Sequence, residues 1–203
     1  MTFHSNKKGI VSLGLSLGVL KKMEAFTEWK IVPEVIETVP LAVAEVAWSN
    51  GVKADMGKIL TTTQVKDRPK VTFPHESGCL YTVIMTDPDA PKDKAEVHHW
   101  MTINIKDGNS ETGQVHSEYF GSRPPQGTGI HRYIFLVYKQ PSDYTPTEAY
   151  RPRNRERRCL WSVRQFAKDN NLGNPVAGNF YRAEFDSYVP TLHAELTSAT
   201  PQE

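Results

Sequence analysis

Apolar residues in this chain recur mostly in short runs with a period of two, the spacing of a half-buried strand, and seldom at the three-to-four spacing of a helix. Leu41 to Trp48 carries Val and Trp at alternate positions. Tyr81 to Met85 is a compact β-branched run, and Met101, Ile103 and Ile105 alternate with Thr102 and Asn104. Each predicts a strand. Asp107-Gly108-Asn109 punctuates the end of the third. Ile134 to Tyr138, the most apolar run, predicts a central strand covered on both faces, and Phe180 to Phe185 predicts a last strand.

Helical spacing is convincing once, from about Glu156 to Asn171, where Cys159, Val163, Phe166 and Ala167 fall on one face. Asn154 is placed to cap the start and Gly173 to close the end. Tyr144 to Pro152 holds two prolines and reads as an exposed loop. Arg151, Arg153, Arg155, Arg157 and Arg158 form a basic run that reads first as solvated surface, with docking of an acidic partner as the alternative. Strands do not alternate with long helices. The class is therefore mainly β, with antiparallel strands and a few peripheral helices.

A length of 203 residues with 38% hydrophobic content suits one domain and one sizeable core. Twenty-four basic and 23 acidic side chains leave a formal charge of +1, so no overall field draws the molecule onto nucleic acid or membrane. Attraction to phosphate must come from a local site. Cys79 and Cys159 have no CxxC spacing, which argues against a zinc cluster and reads as two buried, reduced thiols, with one distant disulfide left open. Residues 1–23 differ from the rest. Ile10 to Leu20 is apolar, Gly-punctuated and flanked by lysine pairs, but it is too short to span a bilayer and is followed by no small-x-small cleavage site. It reads as a poorly ordered extension before a domain over 24–203. That implies a cytoplasmic protein, or a secreted or mitochondrial one if the segment is a targeting sequence.

Three segments carry candidate chemistry. Thr86-Asp87-Pro88-Asp89-Ala90-Pro91 stops a strand in a rigid turn that can hold the Asp87 carboxylate still, while Asp89 is as well explained by capping turn amides. His98-His99-Trp100 opens a strand, so only one histidine faces a given side; this weakens a metal site using both. Gly121-Ser-Arg-Pro-Pro-Gln-Gly-Thr-Gly129 can offer bare amides to an anion, and it runs into a strand that puts His131 and Tyr133 on one face.

In this order the segments resemble the phosphatidylethanolamine-binding protein family, also called the Raf kinase inhibitor protein family. The resemblance rests on Asp87-Pro-Asp-Ala-Pro91, His98-His99-Trp100, Gly121 to Tyr133 with Phe135 to Tyr138, Pro175 to Tyr181 and Tyr188-Val-Pro190, and covers roughly residues 28 to 196. It implies a large antiparallel sheet packed on a smaller one, with a shallow pocket at one end. There Asp87, His99, His131 and Tyr133 occupy the ligand motif, with Pro91, Gly121 and His193 at its wall, and a cis bond joins Ala90 to Pro91. It implies a monomer that binds a phospholipid head group or another small phosphorylated ligand and restrains a protein kinase or serine protease, without catalysis or cofactor and with at most peripheral membrane contact. If imidazolium supplies the attraction, binding weakens as pH rises through the histidine range. The sequence departs from the family pattern at Arg123, where a glycine is common, and at His193, where a tyrosine is common. The competing reading is a metal-assisted phosphoester hydrolase or phosphotransferase using Asp87, Asp89, His99 and His131.

Overall fold

Side chains along the strand from His131 to Lys139 alternate between two separate apolar cores. Tyr133, Phe135 and Val137 join a cluster with Val46, Val71 and Trp100, whereas Ile134, Leu136 and Tyr138 join one with Phe26, Val163 and Phe166. A strand clad on both sides has no use for polar alternation, which is why this run is the most apolar in the chain.

The structure, a computed structural model, describes residues 17–142 and 144–198. In order it comprises α1 (Leu17–Glu28), the helical turn α2 (Ile31–Glu34), β1 (Ala42–Val43), β2 (Glu45–Ala47), β3 (Lys58–Ile59), β4 (Lys70–Thr72), β5 (Tyr81–Asp87) and β6 (Val97–Ile105). There follow β7 (Gln114–Ser117), β8 (His131–Lys139), α3 (Val163–Asp169), β9 (Ala177–Ala183) and α4 (Val189–Ser198). The large sheet runs β1-β9-β8-β5-β6-β7, with β3 also on β9, and β2 and β4 make a small second sheet. Its central pairs are antiparallel, as expected, but the short edge strands β1 and β3 lie parallel to β9. The sheet is therefore mixed.

Three expectations need correction. The boundary drawn between residues 23 and 24 falls inside α1, whose Met23 and Phe26 are buried while Leu17 is exposed; the earlier leucines lie outside the described residues. The late helix begins at Val163, where the Ser162 hydroxyl accepts from the Gln165 amide. Asn154 caps a turn instead, accepting from the amide of Glu156. Helical winding from residue 156 is interrupted because Arg157 and Leu160 take positive φ. Finally, the basic run is not uniformly solvated. Arg158 is fully buried, and Arg151 is nearly so, paired with Glu148 at 2.7 Å.

Candidate functional site

Strand β5 ends at Asp87, and both carboxylate oxygens are occupied: Oδ1 accepts from the Asp89 amide at 2.8 Å, and Oδ2 is 2.9 Å from His131 Nδ1. The ring's other nitrogen meets the Thr128 hydroxyl at 2.8 Å, tying the Gly/Pro loop to the strand it feeds. Asp89 is engaged by Arg132, which grips both carboxylate oxygens at 2.7–2.8 Å. This planar two-point pair fixes the turn and engages both Asp89 oxygens. The bond between Ala90 and Pro91 is trans, against expectation; cis bonds occur at Val32–Pro33 and Ala95–Glu96. Hydrogen bonds set the turn instead, including Lys94 N–H and Ala95 N–H to the Pro91 carbonyl.

The two histidines are sorted by a β-bulge. Met85 pairs with Trp100 but Thr86 pairs with His98, so His99 is the extra residue between them. The bulge turns His99 to the side that Trp100 occupies, against Phe120 and Tyr133, and leaves His98 facing Trp161 across the sheet. Nδ1 of His99 lies 3.0 Å from the Phe120 carbonyl. With Nδ1–H donated there, Nε2 is the nitrogen open to a ligand, as an acceptor. Burial, reinforced by the nearby charge of Arg123, holds the His99 imidazole well below the usual histidine range. It is neutral near pH 7, so imidazolium at His99 is not the source of anion attraction.

A cavity of about 320 Å³ opens beside these groups. The structure places Asp87, Pro91, His99 and His193 on its wall, and sets His131, Tyr133 and Gly121 behind. Tyr133 is fully buried and its hydroxyl makes no hydrogen bond of regular geometry among the described residues; burial and then the Asp87 carboxylate push its phenol well above the usual range. Gly121 serves close packing, since a Cβ there would meet the Val65 carbonyl oxygen at 3.0 Å. Sequence reasoning did not place Lys94, Arg155 and Cys159 on this wall, although all three line it. Arg155 was visible as part of the basic run and Cys159 as part of the expected helix face, but their direction is decided by how Arg158 is buried. Both cysteines are free, and Cys159 is exposed, contrary to the expectation of two buried thiols.

Arg123, noted from sequence as a departure, supplies the main cation. Its guanidinium lies 4.5 Å from the centroid of Phe120 and forms no ion pair or hydrogen bond among the described residues. Arg158 lies over the same ring at 4.4 Å, and its guanidinium donates to carbonyls of His99, Glu118 and Pro152 and forms no ion pair among the described residues. Burial, then the charges of Arg151 and Arg123, lowers Arg158 to about 9. Burial and the charge of Arg155 likewise lower Arg123. Arg123 and Arg158, neither in an ion pair among the described residues, bring positive charge to this end of the sheet, offset in part by Asp87 and Glu118. A wider groove of about 620 Å³ lies beside α3, lined by Arg164, Lys168 and Tyr138. Among the described residues no three His, Cys, Asp or Glu side chains gather as a metal site would need.

Comparison with known proteins agrees with this architecture. A family model described as phosphatidylethanolamine-binding protein matches residues 50–182. A putative odorant-binding protein A5 of Drosophila melanogaster is 32% identical, over 83% of this chain and 83% of its own length. Among solved structures, a carboxypeptidase Y inhibitor, complexed with its cognate proteinase, superposes with a TM-score of 0.67 at 26% identity, covering 83% of this chain and 97% of that one. A phosphatidylethanolamine-binding protein from Plasmodium vivax shares the fold, with a TM-score of 0.69 at 20% identity over 81% and 98%.

Proposed function

Because the chain belongs to the phosphatidylethanolamine-binding protein family, we propose that its cavity binds the phosphoryl group of a small ligand such as a phospholipid head group, with Arg123 as the principal cation. One observation carries this reading: Arg123 stands on the cavity wall and forms no ion pair among the described residues. A cation so placed, with much of its water removed, gains more from an arriving anion than a solvated one does. Arg155 and Lys94 add charge at the wall, and Nε2 of His99 accepts a proton-bearing ligand atom, such as a protonated phosphoryl oxygen or an ammonium. Asp87, held by His131 and the Asp89 amide, positions the wall and does not touch phosphate.

Binding, and inhibition of a partner through binding, is the activity the geometry serves, and the proteinase-inhibitor relative supports the second role. A phosphoester hydrolase reading is disfavoured by Asp89, whose carboxylate is consumed by Arg132. The test is calorimetric titration of phosphoethanolamine into wild type, Arg123→Gln, His99→Ala and, as control, Lys168→Gln in the groove beside α3. We expect Arg123→Gln to weaken binding by about tenfold or more, His99→Ala to weaken it less, and Lys168→Gln to leave it unchanged. Equal affinity of wild type and Arg123→Gln would remove the basis for the assignment.

A further inference from the structure

Cys159 brings a free, exposed thiol to the same cavity wall as Arg123, Arg155 and the half-partnered, 1% exposed imidazole of His99. We propose that Cys159 is a modification site for anionic small-molecule disulfides of the glutathione class, and that the mixed disulfide closes the cavity to its ligand. This rests on the reading of the cavity as an anion site.

The thiol is held in place from both sides. Arg158, its neighbour, is fixed by carbonyls of three segments, and the Leu160 amide donates to the Lys94 carbonyl at 2.9 Å. Among the described residues Arg123 and Arg155 form no ion pair, and with Lys94 they outnumber Asp87 on the wall, so an anionic disulfide is concentrated beside the sulfur. A volume of about 320 Å³ is at the lower end for small-ligand sites, so one tripeptide-sized adduct fills it. The second cysteine provides a contrast. Cys79 Sγ lies 4.0 Å from a Glu76 carboxylate oxygen that is paired with Lys139 at 2.6 Å, so the charges beside this sulfur offset one another and do not select an anion.

The chemistry is thiol–disulfide exchange. The Cys159 thiol loses its proton to solvent, and the thiolate attacks one sulfur of the incoming disulfide. A new sulfur–sulfur bond forms to Cys159 as the old one breaks, and the other half leaves as a thiolate. The small disulfide is the oxidant, so two electrons pass from the protein thiol to the leaving half and no further reagent is needed. A reducing thiol reverses the step and reopens the cavity.

The experiment compares oxidised glutathione, an anion, with cystamine, a cation, as reagents on the full chain. Adduct formation at Cys159 and Cys79 is followed separately by peptide mass spectrometry. We expect the anionic reagent to be preferred at Cys159 by about tenfold relative to its preference at Cys79, from charge alone. Arg123→Gln should erase that preference, and the Cys159 adduct should not bind phosphoethanolamine until it is reduced. Cys159→Ser, an exposed substitution, should remain folded, and its phosphoethanolamine affinity should be the same before and after treatment with oxidised glutathione. Equal anion-to-cation preference at the two cysteines, or undiminished binding by the Cys159 adduct, would overturn the proposal. If unmodified protein fails to bind phosphoethanolamine yet Cys159 keeps its preference for the anionic reagent, the phosphoryl reading fails and the thiol assignment stands.

Discussion

Nδ1 of His131 and Oδ2 of Asp87 stand 2.9 Å apart, the imidazole fully buried and the carboxylate nearly so. The pair joins the end of β5 to the start of β8 and braces the wall behind the cavity. Removing the imidazole strands a buried carboxylate oxygen, so His131→Ala should cost about 2–4 kcal/mol in stability. His131→Asn, whose amide can donate from a similar position, should recover part of this. Urea denaturation decides the matter: an unchanged midpoint for His131→Ala would show that the pair does no bracing.

Arg158 is a second brace. Its guanidinium donates to carbonyls of His98, His99, Glu118, Arg151 and Pro152 while lying over Phe120. Only a planar fork reaches so many acceptors, so Arg158→Lys should fail to rescue what Arg158→Ala loses, about 3 kcal/mol or more for either. Thermal melts of the two variants check this, and a lysine variant as stable as wild type would contradict it.

Burial raises the Glu96 carboxyl to about 7 from 4.5, against the lowering effect of hydrogen bonds from the Thr86 hydroxyl and the Val163 amide. Between those two values the folded state keeps a proton that the unfolded chain has released. Stability from this group therefore falls as pH rises through that window. Glu96→Gln, always neutral, should match wild type below about pH 5 and exceed it by about 1–3 kcal/mol near pH 8. Parallel stability curves for the two proteins across that range would contradict the assignment.

Since His99 is held neutral, anion affinity should not follow the histidine range. Sulfate, whose own charge is constant there, should bind within about a factor of two between about pH 6 and pH 8. Calorimetry at several pH values reads this directly. A progressive loss over that span would restore imidazolium as the attracting charge.

Much of this was legible in the sequence because it follows from periodicity. β8 announced itself by lacking polar alternation, and the turn after β5 by its prolines. Alternation also showed that one histidine of the pair faces the cavity, but not which. That choice depends on the bulge at His99, a two-against-one pairing set by a partner strand that no local pattern reveals. The late helix was drawn too long for a related reason. The apolar spacing at Cys159 and Val163 fits a helix, yet the carbonyls that hold Arg158 come from the distant His99 and Glu118 as well as from nearby Pro152, and pull the chain out of it. Arg155 and Cys159 reach the cavity only as a result, so their place could not be read from local sequence.

The cavity wall has two kinds of author. Asp87 and His99 stand on strands of the central sheet, whereas Arg123, Arg155, Cys159 and His193 come from two separate connections and the last helix. Charge, reactivity and entry are thus carried by parts that can be exchanged without repairing the sheet. Descendants of this chain can change ligand by drift in a few surface segments, and grafting residues 121–129 between relatives should transplant preference while the host scaffold stays as it was.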